Sequence, residues 1–258
     1  MENMENNFYQ QELRQEQEER GEQGLDQVRS FTSLSLGRYT VRTFGMMFLG
    51  LLVTFITAFF FSSTDLGVTL LVYGLMYIPY FHIILLVAQL VVVIAMSAMI
   101  HKLSPAAATA CFFIYAVLTG MTFTFYFLLF DVASLILVFA ATALYFGGMA
   151  VFGAVTKIDL SRIRTILIGG LIFLILFNVL MMFIPGLAVA DRAMCTVGVV
   201  IFLAFTAYDT QKIKTFYTAF QGDEAMLKKA SVISALELYL DFINLFLYLL
   251  RLFGKKKN

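Results

Sequence analysis

The chain has 258 residues, of which 60% are hydrophobic and only 14% charged, where soluble domains carry about 45 to 50% apolar and about 25% charged residues. A water-soluble globule is therefore excluded. The formal net charge of +1 conceals a split, because residues 1–36 hold eight acids against three arginines, a net −5, which leaves +6 on residues 37–258.

Residues 1–36 form a polar tail rich in Glu, Gln and Asn. It has too little apolar surface to offset the entropy of ordering, so disorder is expected. An exposed tail of this kind is also a contact segment for a partner, and a membrane quality-control protein is the partner considered. The first apolar run begins near Phe44 and is too long for a cleaved signal peptide, so it should act as a signal anchor.

From residue 37 onward, runs without Asp, Glu, Lys or Arg cover 43–64, 66–101, 103–130, 132–156 and 165–190, each about as long as a bilayer crossing or longer. Reading them as helices predicts about seven spans, near 43–62, 82–101, 105–129, 133–155, 165–184, 193–214 and 230–252. Segment 66–81, with Tyr73, Tyr77 and Tyr80, reads as an interfacial lead-in to the second span. The small residues Ala143, Gly147, Gly148, Ala150, Gly153 and Ala154 read as close-packing positions of the fourth. The fold class is thus an all-α membrane protein, a seven-transmembrane-helix bundle over residues 37–258. Cys111 and Cys195 lie in apolar stretches and read as buried thiols.

Basic residues sort by loop. Arg38 and Arg42 precede the first span, and His101 with Lys102, Lys157 with Arg162 and Arg164, and Lys212 with Lys214, Lys228 and Lys229 fall in alternate loops. The positive-inside rule then puts the N-terminus in the cytoplasm. Arg251 and Lys255 to Lys257 break the pattern if the last helix crosses completely.

Ionisable residues inside spans mark functional sites. Asp209 stands in the sixth span, and Glu237 and Asp241 in the seventh. Glu237 and Asp241 share one helix face, preceded by Ser234 and continued by Asn244 and Tyr248. Twelve Leu, Ile, Val or Phe residues between 232 and 250 favour insertion by about 0.3 to 0.6 kcal/mol each, and two carboxylates oppose it by about 5 to 7 kcal/mol together. The two nearly cancel, so this helix should sit at the centre of the bundle. Asn178 is a mid-span amide suited to joining helices. Asp209 could alternatively form an interfacial ion pair with Lys212 or Lys214. Because Asp209 and Asp241 sit at different separations from the nearby lysines, upright helices would place them at different depths, with Glu237 then the nearer partner of Asp209.

The segments AYDTQKIK at 207–214, LYLDFINLFLYLLRLFG at 238–254, AQLVVVIAMSAMIHKLS at 88–104 and TKIDLS at 156–161 resemble the Bax inhibitor-1 family in its bacterial inner-membrane branch. The resemblance covers essentially residues 38–254. It implies a seven-helix protein whose last helix is surrounded by the other six, acting as a pH-sensitive calcium leak. In eukaryotes the family is associated with suppression of cell death. The family's paired aspartates correspond to Asp209 and Asp241, which would also be the weak, transient calcium ligands. Its basic partner corresponds to Lys102, with His101 beside it. Some relatives carry Arg there, and Lys offers a point charge without the bidentate fork. Glu237, Asn244, His101 and Asn178 are additional candidates for the pathway or sensor.

The chemistry fits a proton switch. Two carboxylates in a low-dielectric interior resist double ionisation and titrate as one coupled unit. Ionised Asp209 would hold Lys102 and close the cytoplasmic mouth, and protonation would release it. Calcium requires six to eight oxygens, more than these side chains supply, so it is expected as a permeant ion with no resident cofactor. The principal function expected is passive calcium transport, not enzymatic catalysis. An interaction protein working through its tail is the alternative. An intramembrane aspartyl protease is a third reading, weakened because Leu238, Tyr239 and Leu240 precede Asp241 where a Gly-x-Gly pattern is expected. There is no phosphate loop and no nucleic-acid module.

Overall fold

The computed structural model describes residues 35–99, 102–184 and 190–257. The tail lies outside the described residues. The helices are α1 (Leu36–Ser63), α2 (Asp65–Tyr77), α3 (Phe81–Met99), α4 (Pro105–Leu129), α5 (Val132–Val155), α6 (Arg164–Phe183), α7 (Asp191–Ala219) and α8 (Glu224–Phe253). A 3-10 turn at Leu160–Ile163 precedes α6. Among the described residues, seven helical segments are long and apolar enough to cross a membrane. The exception is α2, 13 residues long, which packs on α3 through Gly74, where a Cβ would meet the Phe81 ring at 3.0 Å.

Short polar side chains start several of these helices by satisfying backbone N–H groups of the first turn. Ser104 accepts from Ala107 N at 3.1 Å, with Pro105 opening α4, where a missing N–H costs nothing. Asp131 accepts from Ser134 N at 3.2 Å, and Asp223 from Met226 N at 2.9 Å. Gly222, at φ 100°, takes the left-handed conformation that lets the short connection after Ala219 turn the chain back into α8. α7 continues past the expected 214 and α8 begins before the expected 230. Polar flanks extend both helices: Thr218 Oγ1 donates to Lys214 O at 3.0 Å, and Lys228 pairs with Glu224 at 2.5 Å, one turn apart.

The last helix is the core. In the most apolar stretch of α8, 72% of residues are buried, against 11 to 39% in the corresponding stretches of the other crossing helices. Aromatic rings enclose it. Tyr239 meets Phe112 and Tyr115 edge-on, each at 5.8 Å, and Phe242 meets Phe139 and Phe146 at 5.3 and 5.4 Å. Phe246 stacks on Phe123 at 5.7 Å. Hydroxyls tie α8 to α1: Tyr239 Oη and Thr54 Oγ1 are 2.6 Å apart, and Thr43 Oγ1 and Ser231 Oγ are 3.0 Å apart. With no hydrophobic force between helices in lipid, such packing and interhelical hydrogen bonds hold the bundle.

Only part of the small-residue set in α5 packs closely. A Cβ on Gly153 would lie 2.2 Å from the Ala207 carbonyl oxygen, whereas Gly147 and Gly148 have nothing within 4 Å. α5 thus touches α7 through Gly153 and not along a continuous small-residue stripe.

Candidate intramembrane carboxylate site

Asp209 on α7 and Asp241 on α8 are 7% and 4% exposed. Their carboxyl groups face each other within hydrogen-bonding reach. An ionised carboxylate only accepts, so this contact is a bond only when one of the pair carries a proton. Asp241 Oδ2 is buried with no hydrogen-bond partner. Lys212 Nζ donates to Glu237 Oε1 at 2.6 Å, with side chains 22% and 27% exposed, and lies 4.8 Å from the centre of the Phe216 ring. Glu237 Oε2 is also buried without a partner.

The spacing explains how both pairs form. Lys212 follows Asp209 by three residues on α7, and Glu237 precedes Asp241 by four on α8. Each step is about one helical turn, so on neighbouring antiparallel helices the two pairs are successive rungs. The mismatch expected from the lysines does not keep the aspartates apart, because Lys212 pairs with Glu237 one turn along from the aspartate contact. Asp209 meets Asp241 and not Glu237, and the partner of Lys212 is Glu237 and not Asp209.

A cavity of about 280 Å³ opens onto this cluster between α6, α7 and α8. Asp209, Asp241, Glu237, Lys212 and Asn244 line its polar part, and Ile168, Leu171, Phe202, Phe205 and Leu240 much of the remainder. Arg164, the first residue of α6, and Tyr208 also line it. The loop that delivers Arg164 is pinned to α7 by Gln211, whose Oε1 accepts from Leu160 N at 2.9 Å and whose Nε2 donates to Ile158 O at 2.8 Å. In that loop the Asp159 carboxylate accepts from Ser161 N at 3.0 Å. Hydrogen bonding from Ser161 holds Asp159 below the usual carboxylate range.

Other candidates lie apart. Lys102 is exposed in the turn before α4, and the cations whose charge reaches Asp209 are Lys212 and Arg164. Lys102 follows α3, which packs on α4 and α2. His101 lies outside the described residues. Asn178 belongs to a second polar cluster, near the far end of α8. Arg251 Nη1 donates to Asn178 Oδ1 at 3.0 Å, Asn178 Nδ2 donates to Leu174 O at 2.7 Å, and Arg251 forms an ion pair with Asp191. This cluster joins α6, α7 and α8, and Arg251 follows Asp241 by ten residues, about 15 Å along a helix. Among the described residues, no group of three or more His, Cys, Asp or Glu side chains is arranged to hold a metal ion.

Sequence reasoning missed the Lys212–Glu237 rung, Gln211 and the Arg251–Asp191 pair. The mirrored spacing of Asp209 with Lys212 and of Glu237 with Asp241 was a usable signal for the first. Nothing local to residues 178, 191 and 251 signals their meeting.

The family model described as inhibitor of apoptosis-promoting Bax1 matches residues 36–258. Inner membrane protein YbhL of Escherichia coli (strain K12) is 38% identical over 223 residues, covering 86% of this chain and 93% of YbhL. An uncharacterized protein of Borreliella burgdorferi is 35% identical over 221 residues, 86% of this chain and 93% of its own length. One from Deinococcus radiodurans is 34% identical over 229 residues, 88% and 91% of the two chains. Seven apolar helical segments, the last of them the most buried, and a match across nearly the whole membrane body agree, and the chain belongs to the Bax inhibitor-1 family.

Proposed function

We propose that the protein is a pH-sensitive calcium leak channel of the bacterial inner membrane, with its N-terminus in the cytoplasm and the aspartate pair as its gate. The observation that carries this reading is the burial of Asp209 against Asp241 in the lining of a cavity between three helices. Paired acids at such depth do not improve insertion, and their contact depends on a proton. Glu237 and Tyr208 face the pair from α8 and α7, with Lys212 on α7 and Arg164 on α6 as the positive groups.

The chemistry follows from charge. With the proton shared, the aspartates would hold α7 and α8 together and leave Lys102 disengaged. When the proton leaves, two negative charges repel at contact distance and Asp209 becomes an attractive partner for a cation. Lys102 returning to it would close the cytoplasmic mouth. Calcium would pass as substrate, held briefly by carboxylates and water, since six to eight oxygens are needed and few side chains supply them here.

The test is calcium flux into proteoliposomes between about pH 6 and 8, where coupled carboxylates can titrate, for wild type, Asp209→Asn and Asp241→Asn. The expected result is a pH-dependent flux whose pH dependence disappears in both variants. An unchanged pH profile in Asp209→Asn overturns the gate. Absence of any protein-dependent flux overturns the leak and leaves the interaction role of the tail as the reading.

A further inference from the structure

We infer that Arg164 is a second latch for the aspartate pair, a guanidinium that enters the cavity from α6 and binds Asp209 once the shared proton has left, in addition to Lys102 of the leak reading on which this inference rests. Arg164 is the first residue of α6 and lines the cavity together with both aspartates, and its charge reaches Asp209. Its root is fixed. Leu160 and Leu167, one turn to either side of it, are 8% and 5% exposed, and the loop ahead of it is bonded to Gln211, two residues beyond Asp209 on α7. Its head is free: Arg164 is exposed, and the ion pairs among the described residues do not include it. The acid nearest to it in sequence, Asp159, faces Arg162 at 4.0 Å instead.

Charge sets how many cations the site needs. Asp209 and Asp241 share the cavity with Glu237 on α8, Lys212 and Tyr208 on α7, and Arg164 on α6. The helix α5, packed on α7 and α8, brings no charged side chain between residues 132 and 155, and α6 brings none after Arg164. Lys157, Asp159 and Arg162 in the loop before α6 are all exposed. With the proton shared, the two aspartates and Glu237 together carry two negative charges. Lys212, bonded to Glu237, offsets one, and Arg164 balances the other from the cavity wall without leaving water. Loss of the proton adds a third negative charge, and the two aspartates then repel each other. Two cations besides Lys212 are needed at that point, and Arg164 joins Lys102 in supplying them.

Arginine suits this task. Its planar fork can bond both oxygens of one carboxylate, and it is more weakly hydrated than an ammonium group, so leaving water costs it less. Ile168, Leu171 and Leu240 with the rings of Phe202 and Phe205 line the apolar part of the cavity. Against such walls water screens less, and the attraction between guanidinium and carboxylate strengthens. A guanidinium seated there also closes the path, because it fills part of a cavity of about 280 Å³ and repels a divalent cation. With the aspartates in contact it stays withdrawn in water, where the structure has it.

The test is thermal unfolding of the full-length protein in detergent at about pH 6 and about pH 8, the range in which coupled carboxylates can titrate, with calcium flux into proteoliposomes measured alongside. The proteins are wild type, Arg164→Gln, Arg164→Lys, and Arg164→Gln in an Asp209→Asn background. Arg164→Gln should lower the unfolding midpoint by about 3 °C or more at the higher pH and by about 1 °C or less at the lower, in line with a hydrogen bond between charged groups in a chain of this size. In the Asp209→Asn background the difference between the two pH values should vanish, because the carboxamide cannot ionise. Arg164→Lys keeps the charge without the fork and should fall between wild type and Arg164→Gln. A loss equal at both pH values, or a pH-dependent loss that survives Asp209→Asn, overturns the pairing. Flux reads the latch: Arg164→Gln should raise it by about tenfold at the higher pH, and an unchanged flux there overturns the latch. Absence of flux from every protein overturns the leak reading alone, and the pairing is then decided by the unfolding midpoints.

Discussion

At the scale of single residues, the part-buried rung beside the aspartates shows how charge is tolerated inside this bundle. Lys212 and Glu237 are each exposed by about a quarter, between a surface pair worth up to about 1 kcal/mol and a fully buried one whose breakage costs about 3 to 5 kcal/mol. Lys212→Met removes the donor from Glu237, whose second oxygen has no partner either. A loss of about 2 kcal/mol is expected, read as a lower midpoint of thermal unfolding in detergent at neutral pH. Lys212→Met with Glu237→Leu should recover most of it, because the stranded charge is gone. If the double variant is as unstable as the single one, the rung acts through packing and not through charge. The presence of acids at 209, 237 and 241 was legible in the sequence because ionisable groups stand out in apolar runs. Their pairing was less so, since the partner of Lys212 lies on another helix.

At the scale of the element, the position of Asp209 depends on how closely α5 approaches α7. Gly153 lies against the backbone of Ala207, two residues before Asp209 on the same helix. A backbone carbonyl cannot turn aside as a side chain can, so a Cβ there must push the helices apart. Gly153→Ala should therefore cost about 1 to 3 kcal/mol, as overpacking does, and, under the proposed leak function, shift the pH dependence of flux by moving Asp209 relative to Asp241. Gly148→Ala, on the same helix with nothing within 4 Å, should change stability by no more than about 0.5 kcal/mol. Thermal unfolding of the two variants side by side makes the comparison. Equal effects would show that α5 does not set the separation. Composition identified α5 as rich in small residues, yet could not say which of them meets a neighbour. The helical face toward α7 is chosen by the whole bundle, and Gly147 and Gly148 fall away from it.

For the whole molecule, hydropathy made the number of crossings and the central last helix legible, because apolar length and the cost of carboxylates in lipid are properties of the sequence itself. What hydropathy left open was where the last helix ends, since the basic residues after it contradict the charge rule. The chain resolves this through backbone hydrogen bonds. Beyond α8, Lys255 O accepts from Asp131 N at 2.9 Å and Lys257 N donates to Leu129 O at 3.0 Å. Lys255 N donates to Ser134 Oγ at 2.9 Å and Lys257 Nζ to Phe127 O at 3.0 Å, the latter an amine beside the carbonyl end of α4, where positive charge is favourable. The C-terminal lysines are thus held at the turn between α4 and α5, the end opposite the loop between α5 and α6. Their charge serves a helix terminus and a backbone seam, so a rule built from loop charges misreads them. Under the proposed orientation, with the N-terminus in the cytoplasm, a cysteine placed at Lys256 should react with an impermeant maleimide on intact spheroplasts, and one at Lys157 only after permeabilisation. Native Cys111 and Cys195 lie within helices and serve as the background control in the unsubstituted chain. Labelling of both introduced cysteines from the same side would mean that the last helix does not cross. The reverse pattern would keep the crossing and invert the orientation, placing Arg164 toward the outer face.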